Sequence, residues 1–264
     1  MSYIKIDFSK MASQLQTTVF ENPWRVSTAA LVVTSAAIAY ADYRHYISFG
    51  PHGLPDNFWG WYKQLRMSTK ARKDVTKPAP YDINAVAGPH DRKSYLNTDA
   101  PSKLEPRPGN KAPEIPNFVA PQRQTTQQAS EATKKAMFAY LDTVASSHPS
   151  VLQIQDSVLE GPVPALGVKD FASRSETDKP GVLRATRGEM CHIHPPDGST
   201  HLILSLEDSR KIIELGWGRR HRLSGGGLLP WNYTLLYAPR DEAEFEIWKS
   251  VVEAGVGFCM AHMQ

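Results

Sequence analysis

The chain has 264 residues, with 30 Lys or Arg against 27 Asp or Glu, for a formal net charge of +3. That length suits one good domain with additions, and so mild a basic excess, without interleaved aromatics, excludes a nucleic-acid platform. Cys191 and Cys259 are too far apart for metal spacing and too few for a disulfide framework, so they read as free thiols in a reducing compartment.

Residues 1–24 form a polar segment with no core pattern. From Val26 to Ala41 the chain carries no charge, and Trp24, Tyr40, Tyr43 and Tyr46 gather at the ends of that run. Aromatics at both ends suit a membrane interface, so residues 25–46 are expected to be a transmembrane anchor, short and alanine-rich for that role. A buried helix, or a signal peptide cleaved at an A-x-A site, fits the same run. Seven basic residues follow, from Arg44 to Lys77, against Lys5, Lys10 and Arg25 before it. The positive-inside rule then places the C-terminal side in the cytosol. The expectation is a single-pass membrane protein, most simply of the endoplasmic reticulum.

Residues 47–77 make a basic and aromatic juxtamembrane segment. Phe58, Trp59, Trp61 and Tyr62 either pack on the domain or lie in the interface, and Arg66–Lys77 can touch anionic lipid. Residues 78–125 are a Pro-rich linker, read as a tether or a wrap that runs extended over the surface.

Residues 126–264 read as the compact domain. Ser130–Ser147 is a helix, because Ala136, Met137, Tyr140, Leu141 and Val144 follow 3-4 spacing and His148-Pro149 ends it. Val151–Leu159 is a strand and Gly161–Gly181 a loop. Val182–His194 and Ser199–Leu206 form a hairpin. Glu207–Leu215 is a helix stopped by Gly216, Gly216–Gly227 a loop and Tyr233–Tyr237 a strand. Asp241 caps a last helix, with Glu244 three residues on as in a capping box; Phe245, Trp248, Val252 and Gly255 give it a buried face. The order implies an α+β fold, a single sheet with a central histidine-bearing hairpin covered by helices.

The chemistry concentrates in Glu189–His201, E-M-C-H-I-H-P-P-D-G-S-T-H. Pro195–Gly198 is turn chemistry. With the turn there, His194 pairs with Ser199 and His192 with His201. Those four residues share one face, while Cys191, Ile193 and Leu202 take the other. A slip of one residue would break the cluster. Such a face can act as a general base or acid, hold a zinc ion with an open position, or be a set of satisfied polar residues. A cupin reading fails, because no Glu follows the H-x-H. Trp217 and His221 lie on the Gly-bracketed loop G-W-G-R-R-H-R-L-S-G-G-G. There is no phosphate loop, dinucleotide fingerprint or nucleophile elbow, which argues against ATP, NAD and serine-hydrolase chemistry. Arg240 leaves a strand for a helix, where it can reach an anion or pair with the acidic first turn.

E-M-C-H-I-H-P-P-D-G-S-T-H-L-I-L, G-W-G-R-R-H-R-L-S-G and Y-A-P-R-D-E-A-E together resemble the luciferase-domain family of fungal enzymes, over about Thr186–Phe258. Upstream, Asp42-Tyr43, Phe49-Gly50-Pro51 and Pro55–Gly60 share the layout of that family. The motifs are specific for the family and less specific for light emission. The resemblance implies an oxygenase that adds O2, its co-substrate, to 3-hydroxyhispidin, a phenolic pyrone; the endoperoxide loses CO2, and no flavin, ATP or metal is needed. It implies that His192, His194 and His201 supply the base; Ser199 and Asp197, on the same hairpin, are expected beside the substrate. His221 and Arg240 then hold the anion, and Trp217 and Tyr237 wall the aromatic ring. Two other readings stay open. One is a zinc-dependent hydrolase or oxygenase on the three histidines, and the other a non-catalytic membrane-tethered binding domain.

Overall fold

The computed structural model describes residues 9, 10, 13, 17, 21–97, 104–109 and 111–263. The polar segment expected at 1–24 therefore lies mostly outside the described residues, as does part of the Pro-rich stretch. The chain divides into two units, Met1–Gly50 and Pro51–Gln264.

The first unit contains helix α1, Pro23–Ile47. It opens on a proline at its first turn, where the missing N–H has no helical partner to lose. At 1.5 Å per residue it is about 37 Å long, against a hydrocarbon thickness of about 30 Å. Leu31, Val32, Val33 and Ile38 are all exposed. Among the described residues it is the one helix long and apolar enough to cross a membrane.

The second unit is α+β. Its elements are α2 (Phe58–Ser68), α3 (Glu131–Ser147), β1 (Leu152–Ser157), β2 (Gly161–Val168), β3 (Glu189–Ile193), β4 (Thr200–Ile203), α4 (Leu206–Glu214), β5 (Gly218–Arg220), β6 (Tyr233–Leu236) and α5 (Glu242–Ala261). One antiparallel sheet runs in the order β1-β2-β3-β4-β6-β5, with the β3–β4 hairpin at its centre. Alternation gives the sheet two unlike faces. Leu166, Cys191, Ile193, Leu202 and Leu236 face the helices and form the core with Met137 and Leu141 of α3 and Trp248 and Val252 of α5. Trp248 Nε1 donates to Thr200 Oγ1 at 2.9 Å on that side. Further along, Arg220 is fully buried under α4, donating to Ser209 Oγ at 3.0 Å and to the Pro78 carbonyl at 2.8 Å. α5 starts as expected, with Glu244 N–H donating to Asp241 Oδ1 at 2.9 Å.

The other face carries the histidines, and coil covers it along with α2. The compact unit takes in the chain from Pro51 onward, and the described parts of the Pro-rich stretch bond to it. Ser94 Oγ donates to Asp208 Oδ1 at 2.6 Å, Arg107 pairs with Glu244 at 3.1 Å, and Val119 N–H donates to Gln64 Oε1 at 3.2 Å. Three local expectations change. Gly161–Gly181 is not all loop, since its first part is β2. Pro162 and Pro164 precede Ala165, where pairing with β3 begins, so their missing N–H groups cost that ladder nothing. β3 starts at Glu189, because Gly181–Arg184 forms a helical turn. The Gly216–Gly227 loop contains β5.

α5 lies close on β4 at Gly255, where a Cβ would sit 2.8 Å from the Ile203 carbonyl oxygen; at Gly257 the nearest atom is Tyr95 Cδ1 at 3.4 Å. Gly255→Ala should cost about 1–3 kcal/mol in urea unfolding, as overpacking does. Gly257→Ala should be neutral or stabilising by up to about 1 kcal/mol, since Ala is the better helix former.

Candidate functional site

The β3–β4 turn is built by its own residues. Gly198 adopts φ +82°, and a Cβ there would lie 2.7 Å from Ala129 Cβ. Asp197 folds back, and its Oδ2 accepts from Ser199 N–H at 3.3 Å and Gln124 N–H at 3.1 Å. The strands pair Cys191 with Leu202 and His192 with His201, and His194 N–H donates to the Ser199 carbonyl at 2.9 Å. This is the register expected from the turn. His192, His194 and His201 stand together, with ring centroids 5.2, 5.3 and 4.8 Å apart. Two further rings join them. His221, from the loop after β5, lies 4.9 Å from His201, and Tyr233 of β6 stacks on His201 at 5.0 Å.

Each of the three central rings is tied at one nitrogen. Ser199 Oγ gives its single proton to the Asp197 carboxylate, so it can only accept from His194 Nδ1, 2.8 Å away. His192 Nδ1 donates to Glu189 Oε1. The other Glu189 oxygen accepts from Ser157 Oγ at 2.9 Å and Val158 N–H at 2.8 Å. His201 Nε2 donates to the Gln122 carbonyl at 3.1 Å. The remaining nitrogens, His192 Nε2, His194 Nε2 and His201 Nδ1, are buried and have no hydrogen-bond partner among the described residues. One nitrogen from each ring lies within 4.8 Å of those of the other two, a spacing that can hold a metal ion.

Burial sets the protonation states. It pulls His194 and His201 well below the ordinary imidazole range, helped by the neighbouring imidazoles. It also pulls His221 down to about 3 and His52, which Arg123 further opposes, to about 4. Burial lowers His192 too, but the Glu189 carboxylate outweighs it and the net shift is upward. Glu160 is raised by burial against the pull of His192 and Arg123, and Asp197 is raised to about 6 by burial against its hydrogen bonds from Ser199 and Gln124.

His192, His201, His221 and Glu160 form the polar wall of a cavity of about 270 Å³, whose other walls include Leu54, Val119, Leu159 and Leu229, with Lys63 and Met67 from α2. A larger hollow of about 640 Å³ lies between α3 and α5, but its Tyr140 and Glu253 hydrogen-bond each other and none of the clustered histidines lines it. His194, Asp197 and Ser199 stand behind the cavity wall, not on it. Trp217, Tyr237 and Arg240, expected to surround the substrate, are placed elsewhere. Trp217 Nε1 donates to the Glu105 carbonyl at 2.7 Å, Tyr237 packs under Arg107 at 5.4 Å, and Arg240 Nε donates to Glu244 Oε1 at 2.8 Å. Arg107 of the Pro-rich stretch lies among them, 6.0 Å from the Trp217 ring and 3.1 Å from Glu244 of α5. Glu160, Glu189, Gln122 and Tyr233 are site residues that periodicity alone does not flag.

The native value of His221, about 3, lies below its ordinary 6.5. The stability it contributes is full above about 6.5 and is lost as pH falls toward 3, because the unfolded chain takes up a proton that the folded chain refuses. His221→Gln, which cannot titrate, should therefore show a shallower fall in Tm than the native chain between pH 6.5 and 4 in melting scans.

Residues 187–255 match the Luciferase domain family. Over 260 residues, 91% of each chain, the sequence is 27% identical to the luciferase of Neonothopanus nambi. It is 26% identical to the luciferase of Armillaria ostoyae over 240 residues, covering 86% of this chain and 85% of that one. It is 25% identical to the luciferase of Armillaria mellea over 252 residues, 88% and 90% of the two chains. No solved structure matches. The chain is thus a distant homologue of the fungal luciferases, and the part of it that matches the Luciferase domain model holds the histidine hairpin and the elements that follow.

Proposed function

We propose that the chain is a membrane-anchored, luciferase-like oxygenase that adds O2 to a phenolic pyrone of the 3-hydroxyhispidin type. The observation that carries this reading is the cavity, apolar on most sides and lined on one by His192, His201, His221 and Glu160. Its volume of about 270 Å³ falls just below the usual range of about 300–1,000 Å³ for small-molecule sites, which suits a flat ring system. Enolate formation needs a group that takes a proton, and Glu160, raised by burial, is the carboxylate on that wall. The resulting anion needs donors and a dry site. O2 then adds to the ring, CO2 leaves, and a ring-opened keto acid remains, with or without light. The relatives' name, luciferase, supports oxygen chemistry.

Anchoring rests on α1 and on the exposed Phe58, Trp59, Tyr62 and Leu65 of α2, which also carries Lys63 and Arg66. Aromatic and basic side chains on one short helix suit the headgroup region of a cytosolic leaflet. The second unit then lies in the cytosol, with the endoplasmic reticulum as the membrane.

Incubating the full chain in detergent with 3-hydroxyhispidin in air should consume pyrone and O2 together, and Glu160→Gln, which removes the proton acceptor, should slow this by about a hundredfold or more. If neither O2 uptake nor pyrone loss occurs, this substrate is wrong; binding without turnover would make the chain a binding domain. In cell fractionation, a chain lacking residues 1–50 should leave the membrane pellet. Its retention there would assign the anchoring to α2.

A further inference from the structure

We infer that His192, His194 and His201 hold a divalent first-row transition-metal ion, with Glu160 placed to add a carboxylate from the cavity side. The inference rests on the reading of this cavity as a reaction site for its use, while the binding itself is argued from ring tautomers. The family resemblance implies chemistry without a metal, and the hydrogen bonds point the other way. His192 Nδ1 is committed to a carboxylate, His194 Nδ1 to a hydroxyl that is itself committed to a carboxylate, and His201 Nε2 to a backbone carbonyl. Metal-ligating histidines are fixed at their far nitrogen by partners of this kind. The near nitrogens are left buried and without partners among the described residues.

Three buried lone pairs on rings whose centroids lie 4.8–5.3 Å apart are a cost that proteins avoid. A single water has two protons and cannot serve three acceptors, whereas one cation can. One nitrogen of each ring lies within 4.8 Å of one on each of the others; tetrahedral Zn–N bonds of about 2.0–2.1 Å ask the nitrogens to draw together by up to about 1.4 Å, which imidazole rotations can supply. Glu160 Oε2 lies 4.0 Å from His194 Nε2, and Glu160 Oε1, which has no hydrogen bond, is 3.8 Å from Arg123 Nη1. Imidazoles with one carboxylate suit Zn²⁺, Fe²⁺, Co²⁺ or Cu²⁺ and not Mg²⁺ or Ca²⁺, which prefer oxygen throughout. His192 and His201 reach the cavity while His194 does not, so the ion sits in the wall with its open side toward the substrate space.

The test uses the full chain in detergent. Elemental analysis of the purified chain should find a stoichiometric transition metal, and its identity separates zinc from iron and copper. After chelation and removal of the chelator, Co²⁺ alone should bind and give visible d–d absorption. His194→Ala and His201→Ala should abolish that signal. Glu189→Gln keeps the shape of the side chain and should weaken Co²⁺ binding by about 10–100-fold, with an unchanged circular dichroism spectrum showing that the fold survives. A folded, chelator-treated chain that takes up no Co²⁺ overturns the inference, as does Co²⁺ binding that His194→Ala leaves intact. If that metal-free chain still consumes 3-hydroxyhispidin, the proposed oxygenase stands without the metal. Stoichiometric Co²⁺ uptake by a chain inert toward the pyrone upholds the metal site and removes only the substrate.

Discussion

Between its pairings with Gly167 and Leu166 of β2, β3 passes from Glu189 directly to Cys191, leaving Met190 as an extra residue. This bulge turns Glu189 onto the same side of the sheet as His192, although the two are three residues apart and strict alternation would separate them. Met190 and Cys191 both go to the helix side, where they pack in the core. The Glu189 carboxylate then reaches His192 Nδ1 and fixes which nitrogen of that ring faces inward. The remaining histidines are ordered around a ring whose orientation this bulge decides.

The two faces of the sheet divide the labour of the fold. One face packs Ile193, Leu202 and Leu236 against α3 and α5, and this apolar burial supplies the drive to fold. The other face buries five rings that carry polar atoms, His192, His194, His201, His221 and Tyr233. Such a face is costly to build, because burial disfavours the charged forms and leaves acceptors unmatched. Its cover therefore consists of chain that brings polar backbone with it: the Gln122 carbonyl for His201 and the Gln124 N–H for Asp197. Fold stability and site chemistry are drawn from opposite sides of the same strands, which is how a protein can carry local polar conflict at a working site.

Much of the hairpin was legible in the sequence. Turn residues at 195–198 fix a constant pairing sum, and the alternation of Cys191, Ile193 and Leu202 against the histidines fixes the face. The helices α3 and α5 were legible from the spacing of their apolar residues, and α4 from its Gly216 stop. What period-2 reasoning cannot show is a bulge, so Glu189 stayed hidden although it begins the same motif. Glu160 comes from a stretch whose prolines and glycines look like loop, and Gln122 acts through a backbone carbonyl that any residue would offer. Trp217, Tyr237 and Arg240 do not line the cavity for another reason: nearness in a motif is not nearness in space. Arg107, from a segment that composition marks only as extended, takes the space among them.

The wrap has a kinetic consequence. His201 meets Gln122 across 79 residues, Asp197 meets Gln124 across 73, and Asp208 meets Ser94 across 114. Each is a distant loop closure whose entropy is lost before the contact returns anything, and topologies dominated by such closures fold slowly. The hairpin that carries the histidines is local and can form early. The residues that aim two of its polar groups arrive only when the upstream strap settles over the finished sheet. The segment 187–255 therefore holds the three histidines without the strap that His201 and Asp197 bond to, and the hydrogen bonds of the site are complete only once that strap is in place.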